Sequence, residues 1–489
     1  MIVEILGAKM LAPYVGMSHF VWTAQIAITL VALATGYYAG GWLVDRSPRL
    51  GNMYWAIIAA AVYLGAAILV VEPVAYWCLN FKLAQGSLMA SGFLFFLPLS
   101  LLAMVGPFFI RMLTSTVQDV GRNIGRLTAI STLGSFAGTL LIGYVFIRLP
   151  NSKTMFLTSC ALMAVAAGYF IGWGRANAVK ALAVLAVLAG LAIGGTGVAR
   201  DRLLNLPNVK EVHRANSNFG RLQVLSIRND ALRYYMNDFL VQNDYDPNTH
   251  KSVGAFTYML HDLARAYNPA VSNVLCIGMG VGVVPMDFAN DGAKVDVVEI
   301  NPAVVPIAEK FFDFVPAKVH LTIDDGRHFL NETANHYDAI ILDAFLGDSS
   351  PSHLLSREAF SQMRRAMSTN GVLVINCFGY LEPGKDFFAS SVDQTLRSVF
   401  RSVKIHGTGL GNMFFVASDQ PQLNAGQFPD ISQVPEECRS EVETARNSDW
   451  KANAADGILL TDDYNPLEYY DAANREEIRH RLAMSMKTP

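Results

Sequence analysis

The sequence predicts two folds in one chain: a multi-pass α-helical membrane domain, then a soluble α/β domain with a small β-hairpin subdomain at its start. Three observations predict this. Residues 1–200 consist of long apolar runs with few charges. Residues 208–243 alternate apolar and polar positions, as antiparallel strands half-exposed to water do. From residue 273 onward, short apolar strands alternate with helical patterns, which implies a mostly parallel sheet covered on both faces. The boundaries that follow are 1–200 for the membrane helices, 205–245 for the β-hairpin subdomain, 246–420 for the α/β domain and 421–489 for a tail packed on it.

In the first part, runs long enough to cross roughly 30 Å of hydrocarbon lie near 18–43, 52–75, 86–110, 126–147, 154–173 and 181–199, and residues 1–15 form a shorter candidate. Trp22, Tyr37, Tyr38, Trp55, Tyr76 and Trp77 fall near run ends, where interfacial aromatic belts form. Gly134, Gly138 and Gly143 have the small-residue spacing that lets helices approach closely. The stretch Gly40-Gly-Trp-Leu-Val-Asp45-Arg46-Ser-Pro-Arg49 resembles the cytoplasmic loop between the second and third helices of major-facilitator transporters. Basic residues concentrate in alternate loops at Arg46 and Arg49, Arg111, Arg122 and Arg126, then Arg175 and Lys180, which places those loops in the cytoplasm. Counting six runs from there carries the second half outside. The cofactor deduced below is made in the cytosol and argues for the inside. The expectation is a multi-pass membrane protein with a cytoplasmic soluble part; that the membrane is a bacterial inner membrane is what the resemblance given below implies.

The net charge of −3 and the lack of a basic run give no case for nucleic acid. Five cysteines lie without metal-ligand spacing, and Cys276 and Cys377 fall inside apolar strands, so no metal is expected.

In the second part, strands are predicted at 273–278, 294–299, 319–323, 338–344 and 371–378, with a closing hairpin at 402–406 and 413–418. Helices fall between them, and a leading helix spans 253–266. Gly278, Gly280 and Gly282 follow the first strand at alternate positions and precede a helix, where backbone amides can approach an anionic or polar ligand. Glu299 ends the second strand about twenty residues on, the place for an acid that holds ribose hydroxyls. Asp324 and Asp325 follow the third strand, and one of them can accept from an adenine amino group. The bland alternatives are helix N-capping for Asp324 and compensation of the helix dipole for Asp325. G-x-G-x-G spacing plus this extra acid favours an adenosyl sulfonium over a nicotinamide cofactor. Asp343 ends the fourth strand and is the candidate catalytic base, able to deprotonate an amine and aim it. Asp348 is either a second negative contact for that amine or an ordinary turn acid.

With these residues in place, 205–420 resembles the spermidine synthase (polyamine aminopropyltransferase) family, and the whole chain resembles bacterial membrane proteins that fuse a partial major-facilitator-like region to such a domain. The matching stretches are Ser217-Asn-Phe-Gly220, Gln242, Ile277-Gly-Met-Gly-Val-Gly282, Val298-Glu299-Ile300, Ile323-Asp-Asp-Gly326, Tyr337-Asp-Ala-Ile-Ile-Leu-Asp343 and Leu354 to Phe360. The resemblance implies a Rossmann-like domain of the class I S-adenosylmethionine methyltransferase type. It implies Gln242 on the nucleoside, Glu299 on the ribose, Asp325 with Gly326 on the adenine and Asp343 as base. S-adenosylmethionine or its decarboxylated form is the implied co-substrate, with a small amine as acceptor, the lipid bilayer as surroundings and a homodimer as assembly. Three departures affect the acceptor side. Val281 replaces an acid, Phe256-Thr257-Tyr258 replaces a Tyr-His-Glu stretch, leaving Tyr258 as a substrate contact, and the loop after Asp343 is rewritten. The expectations that remain are amine alkylation, another reaction of the sulfonium such as methyl transfer or cleavage, or a sensor or transporter that binds without turnover.

Overall fold

The structure is a computed structural model describing residues 1–489 except 17–18, 115, 175, 202, 239, 346–350, 454 and 486–489, and the side chains of 19, 473, 475, 478–479, 482–483 and 485. It divides into two units, Met1–Leu203 with His480–Pro489, and Leu204–Arg479.

Within the first unit six helices are long and apolar enough to cross a membrane: Phe20–Arg46, Leu50–Cys78, Leu83–Leu113, Val117–Arg148, Asn151–Trp173 and Asn177–Arg200. The N-terminal helix Ile2–Val15 has 14 residues, about 21 Å at 1.5 Å per residue, too short to span a bilayer upright. Close helix approach occurs at glycines other than those the spacing singled out. A Cβ on Gly36 would lie 2.2 Å from the Ser100 carbonyl oxygen, and one on Gly194 would lie 2.6 Å from the Phe156 ring. Gly134 and Gly143 have open space instead, and Gly138 meets only Ile2 at 3.4 Å. Spacing alone does not say which face of a helix meets a neighbour. The helix Val117–Arg148 turns Ile130, Leu133, Phe136 and Tyr144 outward, all more than 60% exposed.

The second unit holds two sheets. The first is larger than the hairpin subdomain predicted at 205–245. It is a six-stranded antiparallel meander in sequence order, β1 (Asn205–Leu206), β2 (Val209–Ser217), β3 (Gly220–Ile227), β4 (Leu232–Asn237), β5 (Leu240–Asp246) and β6 (Lys251–Ser252). Its β2–β3 corner closes through Ser217, whose hydroxyl donates to the Gly220 carbonyl at 3.0 Å.

The second sheet contains β7 (Asn273–Ile277), β8 (Lys294–Glu299), β9 (His320–Ile323), β10 (Tyr337–Leu342), β11 (Met367–Tyr380), β12 (Ser402–Gly407) and β13 (Leu410–Ser418), in the order β12-β13-β11-β10-β7-β8-β9. β9, β8, β7, β10 and β11 run parallel, and β13 is inserted antiparallel between β11 and β12. Side chains alternate between the two faces: Val274, Cys276, Ala339 and Ile341 enter one core, and Leu275, Ile277, Ile340 and Leu342 the other. Both sets are apolar, which is why these strands read as continuous hydrophobic runs rather than alternating ones. Chain direction reverses its spatial order at β7, since β8 lies on one side and β10 on the other. That switch point leaves a crevice at the strand C-termini.

The chain after β13 folds back onto this sheet. Helix Glu436–Arg446 lies against helix Ala255–Tyr267, where Arg446 forms a buried ion pair with Asp262. Trp450 Nε1 donates to the Gly407 carbonyl at 2.9 Å, and Leu460 and Leu467 complete the second core.

Candidate active site

The cleft opens at the switch point because three glycines permit turns that other residues resist. Gly278 (φ +92°), Gly280 (φ +53°) and Gly282 (φ +88°) are all left-handed, a region that disfavours a Cβ. A Cβ on Gly278 would lie 2.1 Å from the Asp343 carbonyl oxygen, so this glycine lets the tips of β7 and β10 touch. One on Gly280 would lie 2.8 Å from Asn243 Oδ1. Gly278 and Gly280 line the cleft. Gly282 is not among the residues that line it: it precedes helix Val283–Asn290, and a Cβ on it would lie 2.3 Å from the Phe314 ring. Val281, where the resembled family has an acid, is fully buried in the core.

Glu299 and Asp343 stand on either side of that glycine turn, at the ends of β8 and β10, and both line the cleft. Two inter-strand spacings separate these tips, roughly 10 Å, which suits a nucleoside. Each Glu299 oxygen accepts one backbone amide, Met279 N–H at 3.0 Å and Asn301 N–H at 2.7 Å. With the Ile300 amide also acting on this carboxylate and two lone pairs on each oxygen, it keeps room for one further donor such as a ribose hydroxyl. Burial raises the Glu299 pKa above the usual carboxylate range, and those amides oppose the shift. Burial likewise pushes Asp343 up to about 6, with the Asn376 amide opposing from 2.9 Å.

Asp324, Asp325 and Gly326 line the adjoining wall, and Gln242 another. Asp325, not Asp324, caps helix Gly326–Glu332, because its Oδ1 accepts Arg327 N–H at 2.8 Å and His328 N–H at 3.2 Å. Its second oxygen lies 3.0 Å from His353 Nε2. Asp324 instead pairs with His328 Nδ1 at 2.6 Å, a contact that lowers its pKa. A Cβ on Gly326 would lie 2.5 Å from Ile277 Cγ2, so the residue must be small for this helix to seat on β7.

The acceptor wall departs furthest from expectation. Tyr258 faces away from the cleft: its hydroxyl donates to the Ser252 carbonyl at 2.8 Å, and its ring lines a second groove with His261, Asp287 and Phe428. Phe256 lines the cleft in its stead. Residues two apart on a helix point about 200° apart, so the two could not share one wall. Asp348 falls outside the described residues. Sequence reasoning missed Asn376, Asn237, Phe219, Phe378 and His353, all of which line the cleft. Asn376 Oδ1 and Asn237 Oδ1 are buried acceptors without a protein partner. Only structure reveals such acceptors, since asparagine in a strand carries no motif.

The set of groups therefore fits an adenosyl group: a glycine turn without side chains, an acid at one strand tip and two acids beyond the third strand. Residues 254–408 match the spermine/spermidine synthase domain. Over 132 residues the chain is 38% identical to a polyamine aminopropyltransferase of Vibrio vulnificus, covering 25% of this chain and 44% of that one. Over 239 residues it is 26% identical to an N-terminal histidine N-methyltransferase of Emericella nidulans, covering 44% of this chain and 42% of that one. A solved structure of a probable spermidine synthase from Corynebacterium glutamicum superposes with a TM-score of 0.41 and 17% identity, over 49% of this chain and 96% of the other. The chain spans less than half the length of these two curated relatives. Through residues 254–408 the chain is similar to the spermine/spermidine synthase domain and to polyamine aminopropyltransferases.

Proposed function

We propose that this protein is a membrane-bound transferase of the aminopropyltransferase type, which takes S-adenosylmethionine or its decarboxylated form and alkylates a small amine. The observation that carries the reading is the pairing of Glu299 and Asp343 on opposite sides of one glycine turn, in one cleft. When bound, the sulfonium supplies an electrophilic carbon and a neutral thioether leaving group. Glu299 orients the nucleoside by accepting a ribose hydroxyl. Asp343, with a pKa of about 6, is a carboxylate at neutral pH. It can hold an incoming ammonium, take its proton and leave the amine lone pair aimed across the cleft. Asn376 fixes the Asp343 carboxylate by donating to Oδ1. Phe219, Phe256 and Phe378 make the remaining walls apolar and limit water around the reacting atoms.

A second reading, methyl transfer from intact S-adenosylmethionine, is favoured by the histidine N-methyltransferase relative and by Phe256 standing where the resembled family has a polar side chain. Incubating the full chain with each cofactor form and a panel of amines separates the two: methylthioadenosine marks aminopropyl transfer, and S-adenosylhomocysteine marks methyl transfer. Release of neither product with any amine would leave a binding protein and end both enzyme readings.

The first unit is proposed to sit in a bacterial inner membrane, supported by its six apolar helices and by the exposed apolar face of Val117–Arg148. The cytosolic origin of the cofactor supports a cytoplasmic second unit. Protease accessibility on oriented vesicles tests the side, with cleavage from the cytoplasmic face expected.

A further inference from the structure

Past the sheet, the segment Leu460–Asn465 runs along the outside of the cleft's nucleoside end. Leu460 anchors it, fully buried in the second core. From there Asp462 meets Arg327 in a two-pronged ion pair, Nη2 to Oδ2 at 2.7 Å and Nη1 to Oδ1 at 3.2 Å. The same Arg327 Nη1 donates to the His353 carbonyl at 2.8 Å. Asp462 Oδ1 also accepts the Ser356 hydroxyl at 2.5 Å, and Ser356 caps the next helix, Arg357–Arg365. Asn465 Nδ2 donates to the carbonyl of Ser352 at 2.8 Å. Two consecutive peptide carbonyls, those of Ser352 and His353, are thus held from behind. In front, the His353 side chain lines the cleft and touches Asp325.

We infer that Asp462 and Asn465 are positioning residues for the nucleoside: they fix the peptide of Ser352–His353, and through it the wall that His353 and Asp325 present to the adenosyl group. This rests on the proposed reading of the cleft as an adenosyl site. Neither residue lines the cleft, so neither touches the ligand. A fork-shaped guanidinium–carboxylate pair sets geometry as well as attraction, and a wall displaced by a fraction of an ångström weakens binding without altering Asp343.

The test is calorimetric titration of methylthioadenosine into the full chain, alongside steady-state kinetics, for wild type, Asp462→Ala and Asn465→Ala. The expected result is a roughly tenfold weaker Kd for both variants, with KM for the adenosyl co-substrate raised to match while kcat and the amine KM stay put. Asn465→Ala removes one hydrogen bond from the tail and keeps the test open should Asp462→Ala fold poorly. Unchanged nucleoside affinity in both variants overturns the inference, as does a fall in kcat and thermal stability with KM unmoved. Failure of wild type to bind methylthioadenosine defeats the adenosyl reading itself and the inference with it, a result distinct from equal binding by all three proteins.

Discussion

The two walls of the cleft are made of different material. On the nucleoside side, the backbone shapes the site: glycines at positive φ, an N-cap at Asp325, and Glu299 clamped by two amides. At the proposed acceptor end, side chains shape it: Asp343 is held by Asn376, and Phe256 and Phe378 also line the cleft. Backbone geometry restricts which residues a position tolerates, so the first wall leaves a mark in the sequence. Side-chain walls can be rebuilt while the fold stays the same, so the second wall can change substrate.

The largest expected effect separates chemistry from binding. Asp343→Asn keeps the shape and the Asn376 contact but removes the base, and turnover should fall by about 10²–10⁴-fold while methylthioadenosine affinity holds. A parallel loss of nucleoside binding would merge the two walls into one. Next, Glu299→Ala removes the acid that holds two amides and, by proposal, the ribose. Nucleoside affinity should drop by roughly 10–100-fold, read by titration calorimetry, and amine KM should not move.

A pH series sharpens the contrast. Because the base has a pKa of about 6, the rate should fall about tenfold per pH unit below that value. The linked stability effect has the opposite sense. An aspartate titrates near 3.9 when unfolded, so between roughly pH 4 and 6 the folded chain keeps a proton that the unfolded chain has lost. The burial penalty is therefore absent below about pH 4 and complete above about 6. Asp343→Asn should stabilise the second unit at pH 7 by on the order of 1–3 kcal/mol and make no difference at pH 4, as thermal melts would show. The smallest effect belongs to Tyr258→Phe, which deletes one hydrogen bond to Ser252 behind the cleft. It should cost about 1 kcal/mol of stability and leave amine KM alone; a raised KM would return Tyr258 to the acceptor wall.

What the sequence disclosed follows the same division. The parallel strands were legible because each is buried on both faces, and their predicted limits fall within a few residues of β7 to β10. That Glu299, Asp325 and Asp343 line one cleft was legible because residues just past the strand ends at the switch point form the crevice. The spacing of Gly282 did not disclose that its left-handed turn lies against the Phe314 ring, outside the cleft lining. Tyr258 misled because an aligned triplet does not say which helix face is turned inward. The meander extends to Ser252, past the predicted hairpin limit, since β6 has only two residues and no periodicity to read. The tail carried too weak a pattern for the Arg446–Asp262 pair or the Asp462–Arg327 fork to be foreseen. Such long-range polar contacts have no local signal.

The central claim is that carboxylates at two strand tips serve one bound nucleoside, one to hold it and one to act beside it. Titration of methylthioadenosine into the wild-type chain, Glu299→Ala and Asp343→Asn tests this most directly. Tight binding by wild type and Asp343→Asn, with a large loss in Glu299→Ala, is the expected pattern. Equal binding by all three, or none by wild type, would contradict it.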